Sequence, residues 1–242
     1  DYDHINLENK YIHNPYSKVV FGPRPSYKNW KEKQNSKQDV YITTNMRVLV
    51  ENGWMDDLQF QCEPTEFHER RITAKFICSR SVSHEFVRHR VFSWAQESQR
   101  YCNYSKNKFD NEVTFIIPSW LDIPEGRAYY HDGINYRVGA NENDPFGESV
   151  NPKAWHRSND WKEVDSFLYT LDNAEKSYFK LLELGWQPQQ AREILPNATK
   201  TELVMTGFER DFLHFFELRC AGSAYSEARK LANELKELMS HV

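Results

Sequence analysis

The stretch from Arg88 to Tyr101 puts three guanidinium groups and an imidazole within fourteen residues. It reads Arg88-His89-Arg90-Val91-Phe92-Ser93-Trp94-Ala95-Gln96-Glu97-Ser98-Gln99-Arg100-Tyr101. Arginine carries a permanent charge on a planar donor fork that matches phosphates and electron-rich ring edges. Ser, Gln and Tyr between the arginines add directional hydrogen bonds. This mixture suits a pocket for an anionic small molecule better than a solvated surface. Ser98 invites a nucleophile reading, but no base stands at a spacing the sequence makes evident, so Ser98 reads as a hydrogen-bond donor. A metal-dependent hydrolase built on His84, His89 and nearby carboxylates lacks a recognisable ligand set.

The elements that must position these residues follow from pattern. Residues 1–40 are polar and aromatic, and read as an irregular arm or peripheral cover. Val40 to Thr44 and Met46 to Val50 look β-rich, with a turn signal at Asn52-Gly53. Ile72 to Ile77 predicts a strand, and Ser79 to Arg88 a short helix capped by Ser79 or Ser81. The arginine stretch then starts at a helix end and runs through a loop. Val113 to Ile117, closed by Pro118, reads as a buried strand. Residues 131–160, rich in Gly, Asn, Asp, Pro and Ser, read as a long loop, with a lid as its expected role. Trp161 to Leu184 predicts a helix with Phe167, Leu168, Leu171, Ala174, Tyr178, Leu181 and Leu182 on one face and Gly185 as its stop. A short helix over Pro188 to Leu195, an aromatic helix over Phe208 to Leu218, and a closing helix over Ser226 to Met239 follow. In the last, Leu231, Leu235 and Leu238 are expected to face inward. With no internal repeat or linker, residues 1–242 read as a single α+β domain with a mixed or antiparallel sheet and several long helices.

The chain has 242 residues, enough to bury a real core, and 39% hydrophobic and 14% aromatic content is globular composition. A net charge of −4 argues against a general polyanion or nucleic-acid binder, so any anion site must come from local clustering. No apolar run has membrane-spanning length, so no membrane role is expected. The start, Asp1-Tyr2-Asp3-His4, shows no signal-peptide pattern and no initiator Met, which predicts a processed or trimmed N-terminus and a cytoplasmic location. Cys62, Cys78, Cys102 and Cys220 have neither Cys-x-x-Cys nor zinc spacing and read as free thiols, with no metal site expected.

The stretch resembles the signature of the flavin-dependent thymidylate synthases. That pattern is Arg-His-Arg, two residues, Ser, four residues, Ser, one residue, Arg-Tyr. Arg88, His89, Arg90, Ser93, Ser98, Arg100 and Tyr101 match it at every fixed position. The likeness continues in order. Glu66-Phe67-His68 stands where a Glu-His pair is common. Ser83-His84-Glu85-Phe86-Val87 is similar to Ser-His-Gln-Leu-Val. Ala191-Arg192-Glu193-Ile194-Leu195-Pro196 resembles Ala-Arg-x-x-Leu-Pro. Thr206 to Arg210 and His214 to Arg219 resemble the C-terminal block.

The resemblance implies the family fold and methylation of dUMP to dTMP. Methylenetetrahydrofolate would be the carbon donor, NADPH the reductant and FAD the cofactor, so no protein nucleophile is required. It implies a homotetramer with shared active sites, with dUMP and folate as its small-molecule partners. Carried over residue by residue, Arg88, Ser98 and Arg219 stand at the chemistry. His68, Arg88, His89, Arg90, Arg210 and His214 would meet the flavin. Glu85, Arg88, Gln96, Glu97, Ser98, Gln99, Arg100, Arg192 and Arg219 would meet the nucleotide. His68 has a second reading, as a strand cap, and Tyr101 as a brace for the loop. The sequence departs from the pattern in five places. Cys62-Glu63-Pro64-Thr65 replaces a His-x-Thr/Ser-Pro element. Ala95-Gln96 replaces Asn-Glu, Glu85 a Gln, Phe208 an Asn and Ser223 a late His. Gln96 can hydrogen-bond uracil but cannot act as a carboxylate base. A non-catalytic nucleotide- or nucleic-acid-binding protein that keeps the arginine cluster is the alternative.

Overall fold

The structure, a computed structural model, describes residues 3–23, 26, 38–121, 129–131, 135–138, 156–157 and 163–241. Its elements, in order, are α1 (Asp3–Ile12), β1 (Lys18–Phe21), β2 (Val40–Thr43), α2 (Met46–Asn52), β3 (Arg71–Ser79), α3 (Arg80–Phe86), β4 (Ser93–Gln96), β5 (Tyr129–His131), β6 (Asn135–Val138), β7 (His156–Arg157), α4 (Glu163–Glu183), α5 (Pro188–Ala191), β8 (Lys200–Phe208), α6 (Asp211–Arg219) and α7 (Ser226–Ser240). Short 3-10 turns stand at Met55–Phe60, Asn107–Phe109 and Arg192–Ile194. The class is α+β. β1 and β2 pair antiparallel, β3, β8 and β4 form a sheet in that order, and β5, β6 and β7 form an antiparallel sheet.

Several of these elements correct the sequence reading. The N-terminal residues expected to be irregular carry α1 and β1. Met46 to Val50 is helix rather than strand. The Asn45 side chain accepts from the Val48 amide and opens α2, and Gly53, at φ 70°, closes it. Those two caps outweigh the β-branched residues between them. Val113 to Ile117 does not pair as a strand; Phe115 makes one isolated bridge to Thr199. The arginine stretch is not all loop, since Ser93–Gln96 is β4. Residues 131–160 are not structureless, since they supply part of the β5-β6-β7 sheet. The remaining residues of that segment, and with them the lid reading, lie outside the described residues. The aromatic helix starts at Asp211 rather than Phe208, because β8 runs through Phe208. Leu235 is buried as expected, but Leu238 is 66% exposed, and α7 also buries Ala228 and Ala232.

Other expectations hold. Ser79 caps α3 through the Val82 amide, and Gly185, at φ 91°, follows α4. On β3, Ala74, Phe76 and Cys78 are buried while Thr73, Lys75 and Ile77 are exposed, the period-two pattern of a strand with one covered face.

The chain divides into two compact units, each assembled from separate stretches. The first comprises Asp1–Ala74, His89–Trp94 and Met205–Ala221. Its core holds an aromatic cluster in which Phe92 meets Phe212 edge-on at 4.8 Å and Phe215 meets Phe216 at 5.7 Å. Beneath α2, Tyr11, Val48 and Leu49 form a smaller cluster. The second comprises Lys75–Arg88, Ala95–Val204 and Gly222–Val242. There Phe76 meets Phe86 at 5.0 Å, and Cys102, Tyr104, Val113, Tyr178 and Ala191 pack together. The four cysteines are free thiols: Cys62 is exposed, while Cys78 and Cys102 are buried. Burial pushes both buried thiols up to about 11. Among the described residues no helix is long and apolar enough to cross a membrane.

Candidate functional site

Each unit holds its own group of the residues singled out by sequence. In the first unit His89 follows α3 in the chain and is 9% exposed. Arg219, in the last turn of α6, donates from Nε to His89 Nε2 at 2.8 Å. Arginine has donors only, so Nε2 must carry the lone pair, which defines the imidazole's acceptor side. The Phe215 ring meets the imidazole edge-on at 5.0 Å. The His89 carbonyl accepts from Trp94 Nε1 at 3.1 Å and from the Phe92 amide at 3.3 Å. The turn carrying the imidazole is thus fixed on backbone and side chain alike.

Three further cationic groups of this unit, Arg90, Arg210 and His214, face outward. Arg90 is exposed. Arg210 Nη1 lies 3.4 Å from Glu69 Oε1, with the arginine side chain 53% exposed. His214 Nδ1 lies 3.2 Å from Glu217 one turn along α6. Pairs this exposed contribute little to stability and leave their charges available to a ligand. His68 braces its own loop. Its Nδ1 accepts from the Thr65 amide at 2.9 Å, its Nε2 lies 3.9 Å from Cys62 Sγ, and its ring stands edge-on to Tyr41 at 5.2 Å. The departure at Cys62 therefore places a thiol beside an imidazole.

A cavity of about 1500 Å³ in this unit is lined by Tyr41, Cys62, Thr65, His68, Arg70 and Arg71, among others. Tyr41 stacks on Phe67 at 4.9 Å. Sequence reasoning passed over Arg71, whose guanidinium lies 4.7 Å over the Phe208 ring and whose pKa is lowered by burial. The Asn-to-Phe departure at Phe208 thus supplies a buried platform for a cation. The signal for it was available, since Arg71 opens β3, which leads through α3 into the signature.

In the second unit α3 carries Glu85, and Arg88 follows it. Their ion pair is loose, at 3.8 Å, and the Arg88 side chain is 70% exposed. Arg100 and Ser98 are exposed, with Arg100 5.4 Å over the Tyr101 ring. The Ser98 carbonyl accepts from the Tyr101 amide at 3.0 Å, closing the turn that presents these groups. Gln96 turns its amide nitrogen to the buried Ser83 and Thr201 hydroxyls. Gln99 is directed inward, 8% exposed, with its amide nitrogen enclosed and unbonded among the described residues. Arg192 Nε donates to the Gln189 carbonyl at 3.1 Å, and its side chain is 31% exposed.

A charged network missed by sequence reasoning lies beside Glu97. Lys200 is 3.6 Å from Glu97 and 3.1 Å from Glu202, and Lys75 is 2.7 Å from Glu202. The Lys75 hydrogen bond, then that of Lys200, holds the Glu202 carboxyl below its ordinary range. Finding it required β8, which the sequence reading did not assign.

Within the second unit, the exposed Arg88 and Arg100 could pair with an anion, and the Gln96 and Gln99 amides could read a ligand directionally. Among the described residues of the signature there is no nucleophile–base pair; the Cys62 thiol and His68 imidazole, 3.9 Å apart, lie outside it. Comparison with known proteins adds a family. The model of the family described as thymidylate synthase complementing protein matches residues 9–242. A flavin-dependent thymidylate synthase of Mycolicibacterium gilvum is 32% identical over 220 residues, covering 89% of this chain and 72% of that protein. One of Geobacter sulfurreducens is 28% identical over 164 residues, covering 68% of this chain and 53% of that protein. Against relatives of the second kind the matched stretch thus spans about half their length. A crystal structure of the UMP/dUMP methylase PolB from Streptomyces cacaoi, bound with 5-Br dUMP, covers 71% of this chain and 67% of its own. It aligns with a TM-score of 0.48 at 20% identity.

Proposed function

Since the chain belongs to the thymidylate synthase complementing protein family, we propose that it methylates dUMP to dTMP with a bound flavin. Methylenetetrahydrofolate would give the carbon and NADPH the reducing equivalents. The observation that carries this reading is the signature itself. Its seven fixed positions are met, its arginines Arg88, Arg90 and Arg100 are exposed, and its histidine is locked by Arg219.

The residues of the first unit suit an anionic, planar cofactor such as FAD. Arg90, Arg210 and His214 offer exposed donors, and the cavity is lined by Tyr41, His68, Arg70 and Arg71. When bound, the flavin supplies hydride chemistry that no side chain can. The chain's own residues bind, orient and stabilise charge. Arg88, Arg100 and Arg192 would neutralise the nucleotide phosphate, with Ser98 as donor to it. Glu85 would orient Arg88 from one turn away. Arg219 would hold the His89 imidazole in one tautomer against the cofactor. This role belongs to a single-domain enzyme of the cytoplasm, assembled as a homotetramer with folate and dUMP as its small-molecule partners.

The test is the visible spectrum of the purified protein with FAD, before and after dUMP, followed by tritium release from labelled dUMP. A flavin spectrum that shifts on adding dUMP, together with tritium release, supports the reading. Nucleotide binding without flavin binding sinks it in favour of a non-catalytic nucleotide-binding protein.

A further inference from the structure

The amide of Gln96 has its two ends told apart by the hydrogen bonds around it. Its nitrogen lies 2.8 Å from Ser83 Oγ and 3.4 Å from Thr201 Oγ1. Both hydroxyls are buried, Ser83 at 0% and Thr201 at 1% exposure. Ser83 Oγ donates to the Arg80 carbonyl at 2.9 Å. A hydroxyl has one proton, and that proton is spent on Arg80. Toward Gln96, therefore, Ser83 offers only a lone pair, and only an N–H can meet it. This accounting fixes which end of the amide points inward, a choice that shape alone leaves open. Thr201 takes the second N–H. Oε1 is left as the outward end, neither buried nor bonded among the described residues.

We propose that Ser83 and Thr201 are positioning residues that lock the Gln96 amide, so that Gln96 meets the bound nucleotide only as a hydrogen-bond acceptor. The inference rests on the nucleotide reading above. An ionised glutamate, the family's usual residue here, is acceptor-only by its chemistry. Gln96 lacks the charge, and the Ser83 lock restores the polarity. The ligand group it meets must then be a neutral donor. A deoxyuridine nucleotide has two: the ring imide N–H and the sugar 3′-hydroxyl.

The test is calorimetric binding of three nucleotides to wild type and Ser83→Ala. The nucleotides are dUMP, dCMP (whose ring lacks the imide N–H) and 2′,3′-dideoxyuridine monophosphate (which lacks the 3′-hydroxyl). Wild type is expected to bind one of the two analogues about tenfold more weakly than dUMP, which identifies the donor. In Ser83→Ala the Thr201 hydroxyl can donate or accept, the amide can turn, and the loss shrinks to within about threefold. Thr201→Ser, which keeps the hydroxyl, retains the wild-type ratio. A purely structural role for Ser83 would weaken all three nucleotides alike. Equal binding of dUMP and both analogues by wild type overturns the inference while leaving the nucleotide reading intact. So does a ratio unchanged in Ser83→Ala. If dUMP itself does not bind, the nucleotide reading fails, and the lock is read on the free protein by nitrogen-15 NMR. The Gln96 side-chain NH₂ should then exchange slowly with solvent in wild type and fast in Ser83→Ala, and fast exchange in wild type overturns the lock.

Discussion

His89 and Arg88 are neighbours in the chain and live in opposite environments. His89 is buried, bonded to Arg219 and flanked by Phe215. Arg88 is 70% exposed, with one loose ion pair. The same contrast runs through the two units. In the first, an imidazole–guanidinium pair is built into an aromatic core. In the second, Arg88 and Arg100 stand in solvent while the amide nitrogens of Gln96 and Gln99 are directed inward. Under the proposed function, the group that keeps one tautomer is held by packing, and the group that would pair with an anion stands in solvent. Stability and function should therefore separate cleanly by position along one signature.

The largest effect should come from removing the aromatic backing. Phe215 is fully buried and touches His89, Phe92 and Phe216. Phe215→Ala should cost about 3–5 kcal/mol in denaturant unfolding. A cost below about 1 kcal/mol would mean that packing does not hold His89. Gly207→Ala comes next. A Cβ there would sit 2.2 Å from the buried Phe92 ring, which must shift with the His89 turn, so about 1–3 kcal/mol should be lost. Urea midpoints on the pair check both.

Arg219→Leu and Arg88→Ala test the contrast directly. Arg219→Leu strips the buried His89 of the part-buried donor to its Nε2 and should cost about 1–3 kcal/mol. Arg88→Ala should stay within about 0.5 kcal/mol of wild type in stability, because an exposed pair at 3.8 Å contributes little. Yet Arg88→Ala should abolish turnover in the tritium-release assay with the fold intact. Retained turnover would remove Arg88 from the chemistry. A large stability loss would break the comparison itself.

How much of this was legible in the sequence divides along the same line. Local chemistry was legible: Ser79 as a cap, Gly185 as a stop, and the long α4 all follow from residue types and spacing. The caps of α2 were present as well, in Asn45 and Gly53, but the run Val48, Leu49, Val50 reads as β when its flanks are ignored. β8 carries its own signal, with Thr201, Leu203 and Met205 buried alternately. The aromatic run beginning at Phe208 masked it, because one pattern was stretched over two elements. Partners distant in sequence were not legible. Nothing local says that Arg219 bonds His89 across 130 positions, or that Thr201 meets Gln96 across 105. These pairings are created by the fold, and they decide which end of an imidazole or an amide is already taken.

The smallest effect belongs to the solvent-side network of the second unit. Glu202 sits between Lys75 at 2.7 Å and Lys200 at 3.1 Å, and its carboxyl is held below its ordinary range. A carboxyl with a lowered folded pKa binds its proton less readily in the native state than in the unfolded chain. Its contribution is fully present above the ordinary glutamate value of about 4.3 and is lost as pH falls through the lower folded value. Melting temperature should therefore decline more steeply below about pH 4 in wild type than in Glu202→Gln. High salt should shrink the difference, since these side chains are part-exposed and screened. His89 and Arg219 supply the contrast. Their bond is part-buried on a buried imidazole, so the stability that Arg219→Leu removes should change less with salt. A salt-sensitive Arg219 contribution, or a salt-insensitive Glu202 one, would mean that burial does not separate the His89–Arg219 bond from the Glu202 ion pairs.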